Sequence, residues 1–335
     1  MIHVALARIS GNQIPNRKVV SDTLLELAKT NRDVLVLTSD SRGSAALAPF
    51  GQQLPGQLVE VGIAEQNLVG IAAGLAAAGK KPFVASPACF LSMRSIEQIK
   101  VDVAYSRTNV KLIGISGGVS YGALGMSHHS LQDLAVTRAI PGLDVMMPAD
   151  RHETKKMIEA LVDYDRPVYM RIGRNPVDDV YLSDEYPFEI GKAVTLRDGG
   201  DLTLIAVGET VRVALDAAEA LQQEGLDCRV LNMHTIKPLD EVSIVRAAAE
   251  TGGIITLEEH SVNGGLGAAV AEVVSQSHPV PMKILGIPDE PAITGNTAQV
   301  FAYYGISVEN VRKVALKLLS AKRGDGHGQK IHPRG

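Results

Sequence analysis

The chain has 335 residues, 45% of them hydrophobic and 21% charged, with a formal net charge of −4. That is the make-up of a soluble globular protein with core to spare and length for two domains. It excludes a disulfide scaffold or zinc site, since Cys89 and Cys228 lie far apart without ligand spacing, and it gives nucleic-acid binding no basic patch outside the short tail.

Apolar runs read as strands at 34–40, 58–62, 82–86, 110–116, 144–148 and 167–171. They are continuous rather than alternating, as strands covered on both faces must be. Helices are predicted between them over 18–30, 65–78, 94–105, 130–139 and 152–163. The stretch 173–191, GRNPVDDVYLSDEYPFEIG, breaks the rhythm with prolines and acids and reads as a linker. Strands resume at 202–208, 228–233, 254–259 and 282–287, with helices near 210–224, 239–250, 265–277 and 307–319. The expected fold class is therefore α/β: two doubly wound domains, each on a mainly parallel sheet. We divide the chain into a first domain over 1–185, a linker over 186–195, a second domain over 196–320 and a disordered tail over 321–335, rich in Gly and charge. The start, MIHVALARIS, lacks the apolar core of a secretory signal, and the apolar run at 68–79 is shorter than a membrane span. With only two cysteines, a reducing cytoplasm is the expected compartment.

Several stretches bear chemistry. In VEVGIAEQNLVGIAAGLAAAG (59–79), a small-residue turn delivers Glu65 to the mouth of a helix that is apolar all round, as in a core or an interface. A carboxylate there serves the helix N-terminus in the plain reading and a proton-handling acid in the functional one. The loop TSDSRGS (38–44) follows a strand, where parallel sheets bind ligands. SGGVSYGALGMSHHS (116–130) is Gly-rich but has neither the P-loop nor the GxGxxG spacing, and its adjacent His128 and His129 point apart, against a joint metal site. Arg17, Ser44, Arg171 and Arg174 stand at strand ends and loop starts, where arginine forks suit phosphate or carboxylate. GGLGAAVAEVV (264–274) reads as a strand-to-helix turn.

Taken in order, GIAEQNLVGIAAGLA, ACFLSMRSIEQIKVDVAYS, MSHHSLQDLAVTRAIPGLDVMMPAD, MRIGRN, HTIKPLD and EEHSVNGGLGAAVAE resemble the transketolase family, specifically its C-terminal half. The resemblance covers the chain to about residue 320 and implies a thiamine-diphosphate pyrimidine-binding domain followed by the transketolase C-terminal domain. It implies that Glu65 hydrogen-bonds N1′ of the aminopyrimidine and favours its imino tautomer, so that N4′ can take the thiazolium C2 proton. It places Phe90 on the pyrimidine ring and Asp40 in the cofactor-site loop. It sets His128 beside the reacting hydroxyls, and Arg17, Ser44 and Arg174 on the distal phosphate of a sugar phosphate. The implied reaction moves a two-carbon ketol unit from an anionic ketose to an aldose.

Three departures from the family pattern stand out. Pro87 replaces an aromatic residue, Ala123-Leu124-Gly125 replaces a Glu-Asp-Gly step, and Ser116 replaces a histidine of the anion pocket. Losing an acid that reads a hydroxyl changes discrimination strongly, so a non-standard sugar pair is expected. The diphosphate-binding half is missing, and the sole GDG, 324–326, has too little chain after it to serve as a metal site. No metal ligands are expected here: Mg2+ or Ca2+ would sit on a separate N-terminal-type subunit in an α2β2 assembly. The competing readings are the β subunit of a 2-oxo acid dehydrogenase and a non-catalytic partner that kept the fold.

Overall fold

The computed structural model describes residues 14–324. Its first unit runs α1 (Asn16–Thr30), β1 (Val34–Thr38), α2 (Ala48–Gln53), β2 (Leu58–Glu60), α3 (Glu65–Ala77), β3 (Lys81–Pro87), α4 (Ala88–Arg94) and a single turn, α5 (Ile96–Gln98). It continues through β4 (Lys111–Ile115), α6 (Asp133–Arg138), β5 (Asp144–Met146), α7 (Arg151–Asp163) and β6 (Val168–Arg171). The second unit contains β7 (Val194–Arg197), β8 (Leu202–Ala206), α8 (Thr210–Gln223), β9 (Cys228–Asn232), β10 (Thr235–Lys237) and α9 (Glu241–Glu250). It closes with β11 (Ile254–Ser261), α10 (Leu266–Ser277), β12 (Met282–Ile287), α11 (Thr297–Tyr304) and α12 (Val308–Gly324).

Two sheets result, ordered β10-β5-β6-β4-β3-β1-β2 and β12-β11-β8-β9-β7. All pairings are parallel except those of the edge strands β10 and β7. The continuous apolar strands are explained by cover on both faces. Val34, Val36, Phe83, Ile113 and Met170 pack under α1 and α7, while Leu37, Val84, Leu112 and Tyr169 face a cluster that includes Ile205, Leu231 and Met233 of the second unit. The two units are further joined by β10, which leaves the second unit and pairs antiparallel with β5.

Several expectations need correction. The helix expected over 94–105 is broken: α4 starts directly after Pro87, and a π-helix occupies Ile99–Tyr105. The buried hydroxyls of Ser92 and Ser95 donate to the carbonyls of Ala88 and Leu91, four residues back, and such bonds bend a helix. The helix expected over 130–139 is shorter, because Ser130 is held in a bridge to Gly118. β7 begins inside the stretch expected as linker, and α12 runs past residue 321. Residues 1–13 and the remainder of the expected tail, 325–335 with most of GDG, lie outside the described residues.

Candidate active site

The candidate side chains gather where β1, β2, β3, β4 and β6 end, at the carboxyl edge of the first sheet. Glu65 opens α3 and is 5% exposed. Its Oε1 accepts from Nη1 of Arg94 at 2.9 Å, and Oε2 has no hydrogen-bond partner among the described residues. Ile63, Gln66, Asn67 and Arg94 line an open cleft of about 500 Å³ over this carboxylate. Phe90 and Arg94 stand four residues apart on α4, so they share a helix face, and the guanidinium lies 4.0 Å from the ring centroid.

From Phe90 the contacts continue. The His128 ring stands edge-on to Phe90, centroids 5.2 Å apart, and to Tyr121 at 5.3 Å. Its Nδ1 pairs with the Ser127 hydroxyl at 2.9 Å, which fixes the ring and leaves Nε2 open. His129 points away: its Nε2 meets the Gly122 carbonyl at 3.1 Å, and burial lowers its imidazole below the ordinary range. Beyond Tyr121, the Arg174 guanidinium lies 5.1 Å from that ring and donates to the Ser116 hydroxyl at 3.4 Å.

Arg17 closes the line. Its Nε donates to the Arg174 carbonyl and its Nη1 to the Ser44 carbonyl, each at 3.0 Å. Burial and the neighbouring Arg174 charge lower its guanidinium from the ordinary range. Neither arginine pairs with a carboxylate among the described residues. Two like charges side by side without an acid favour an anion between them. Ser44 contributes its carbonyl to Arg17, and its hydroxyl remains unengaged. Asp40 stands apart from this line: it is exposed at the tip of β1, in left-handed backbone (φ 51°), its N–H held by Glu60 at 2.7 Å.

Arg94 and Tyr121 are the members that sequence reasoning missed. The Phe90–Arg94 spacing on one helix carried a signal for the first, and nothing local marked the second.

A cleft with one open carboxylate oxygen and an aromatic face suits a planar, protonated ring nitrogen.

Behind the line lies a buried ionic cluster at the junction of the units. Arg171, fully buried at the end of β6, reaches Asp133 at 3.4 Å and Glu259 at 3.1 Å. Tyr169 donates to Asp133 at 2.8 Å. Burial and the adjacent Glu259 push Glu209 up to about 8, and its Oε1 has no hydrogen-bond partner. Burial raises the Glu259 carboxyl as well, so the Glu209–Glu259 pair favours holding a proton beside the buried Arg171.

With this geometry in view, two family models match: the transketolase pyrimidine-binding domain over residues 12–178 and the transketolase C-terminal domain over 191–311. The chain belongs to the transketolase family. A curated relative from Phocaeicola vulgatus, a subunit of an apulose-4-phosphate transketolase, is 53% identical over 93% of this chain and 99% of its own. A 6-deoxy-6-sulfo-D-fructose transketolase subunit from a Clostridium species is 38% identical over 91% of this chain and 95% of its own. A solved split-gene transketolase, described as an inactive beta4 tetramer, superposes with a TM-score of 0.84 at 36% identity, covering 92% of this chain and 99% of that one. In extent and fold the chain is thus a transketolase-type subunit, in a family that depends on thiamine diphosphate.

Proposed function

We propose that this chain is the pyrimidine-side subunit of a two-chain transketolase. Together with a subunit carrying the diphosphate-binding domain, it transfers a two-carbon ketol unit from an anionic ketose to an aldose. The observation that carries this reading is the line of contacts from Glu65 to Arg17, with a buried acid at one end and two acid-free guanidiniums at the other.

Glu65 holds a pyrimidine nitrogen through its open Oε2, and Phe90 supports the ring. When bound, thiamine diphosphate supplies the electron sink for cleaving the ketose C2–C3 bond. His128 exchanges a proton with a substrate hydroxyl through Nε2, its ring fixed by Ser127. Arg174 holds the distal anion, with Arg17 and the Ser44 hydroxyl beside it, and Asp40 meets the cofactor from the β1 loop. In this reading Mg2+ or Ca2+ belongs to the partner, which carries the diphosphate-binding domain.

A partner, in an α2β2 assembly, is supported by exposed apolar groups: Ile63, which lines the cleft, is 73% exposed, and Met93 and Tyr105 are 51% and 84% exposed. The name of the 53% identical relative, an apulose-4-phosphate transketolase subunit, supports a phosphorylated sugar as substrate. Leu124 and Met126, exposed on the His128 loop, suit a sugar face with fewer hydroxyls. The proposed compartment is the cytoplasm. No helix among the described residues is long and apolar enough to cross a membrane.

The test is Glu65→Gln in the reconstituted pair. Turnover should vanish while the circular dichroism spectrum stays that of the parent; near-parental turnover contradicts the cofactor role. A ketose panel then separates phosphorylated from sulfonated donors by KM.

A further inference from the structure

We propose that Glu259, from the second unit, is the positioning residue for the loop 116–130 that carries Ser116, Tyr121 and His128. The inference rests on the reading of that loop as the sugar-facing wall. Glu259 touches neither the cleft nor the arginines of the anion end, and acts through backbone.

The loop is tied at its stem by Gly117 N–H to the Ile172 carbonyl at 2.9 Å and by the reciprocal pair of Gly118 and Ser130. Past the stem, beside the ring contacts of Phe90 and Arg174 from the first unit, its support comes from the second unit. Glu259 Oε1 accepts from the Val119 N–H at 2.9 Å, across 140 residues of sequence. The Val119 side chain is fully buried in an apolar cluster with Ile287, Ala292, Val300, Phe301 and Ile306. At the tip, a Cβ on Gly125 would meet Thr294 at 2.9 Å.

Close approach explains the two glycines. A Cβ on Gly118 would lie 2.1 Å from Glu259 Cδ and 2.5 Å from Arg171 Nη2, at a backbone φ of +60° that favours glycine. A Cβ on Gly117 would strike Arg171 at 2.4 Å. Glu259 is held from below in turn, because Arg171 donates to both its side chain and its carbonyl. Arg171 precedes Arg174 by three residues, so one immobile cation references both the loop and the anion-holding arginine. A carboxylate is the fitting acceptor: it satisfies the Val119 N–H and the buried guanidinium at once, and an unmet group at either position is costly.

The test compares Glu259→Ala, Glu259→Gln and Gly118→Ala. Hydrogen–deuterium exchange is measured on the full chain and kinetics on the reconstituted pair. Glu259→Ala should speed exchange over 117–130 by about tenfold or more while α3 and α4 keep their protection. Glu259→Gln should restore part of that protection, since its amide oxygen still accepts from Val119 while its amide nitrogen cannot accept from Arg171. Gly118→Ala, which leaves every charge in place, should loosen the same segment and carries the test where the Glu259→Ala chain does not fold. In the pair, KM for the phosphorylated ketose should rise about tenfold with a smaller change in kcat and cofactor affinity within about twofold. Unchanged protection over 117–130 in both Ala variants overturns the proposal, as does equal loosening of α3. Loosening without any change in KM leaves Glu259 as the loop's anchor and removes the loop's role as substrate wall.

Discussion

Replacing Glu209 by Gln gives a stability test whose size follows from the buried cluster. Its carboxyl sits beside Glu259 and Arg171, with Oε1 unsatisfied, and is pushed up to about 8 from an ordinary 4.5. A carboxyl whose folded pKa is raised binds its proton more tightly in the native state than in the unfolded chain. Its stabilising contribution is full below the unfolded value and is lost as pH climbs towards the folded one. At about 1.4 kcal/mol per unit, the loss between pH 4.5 and 8 is on the order of a few kcal/mol. Glutamine mimics the protonated form and does not titrate. Urea unfolding of parent and variant at half-unit steps from pH 5 to 9 reads Glu209 together with the Glu259 carboxyl it faces, because the remaining titrating groups are common to both. The two should be close near pH 5, and the Gln variant should become progressively more stable above it, flattening past about pH 8. A difference that does not change with pH, or a parent favoured at pH 9, refutes the protonated-Glu209 account.

Other predictions are simpler. Arg174→Ala in the reconstituted pair should raise KM for anionic sugars by about tenfold to a hundredfold and leave neutral acceptors almost unaffected; equal effects on both contradict the anion pocket. Phe90→Ala should weaken cofactor binding by about tenfold, read by fluorescence titration of the pair, and unchanged affinity removes Phe90 from the ring site. Asn296→Ala deletes a capping box in which the Asn296 side chain and Gln299 reciprocally bond backbone N–H groups. It should cost about 1 kcal/mol and a few degrees in melting temperature, with no shift disproving the capping contribution.

The sequence made the central pieces visible because they are local. A strand, a small-residue turn and an apolar helix place Glu65 by themselves, and continuous apolar strands declare a sheet covered on both faces. Arg94 was within reach by the same logic, four residues from Phe90 on one helix. What stayed hidden depends on distant partners. Arg17 spends much of its fork on carbonyls of Ser44 and Arg174, the latter 157 residues away, so its apparent freedom as a phosphate ligand was not legible. β10 is only Thr235–Lys237, and its partner is the edge of the other unit's sheet. The break after α4 accompanies two serines bonding back to carbonyls, a competition that apolar periodicity cannot register. Glu259 read as the end of an ordinary strand, because its contacts with Val119 and Arg171 exist only after both units are docked.

The most direct measurement of the central claim is ketol transfer from a phosphorylated ketose, with thiamine diphosphate and Mg2+ present. It is run with this chain alone, with a diphosphate-domain subunit alone, and with the two mixed at rising ratios. The account predicts no transfer from either alone and a rate that rises with added partner and saturates near equimolar. Full transfer by this chain alone contradicts it.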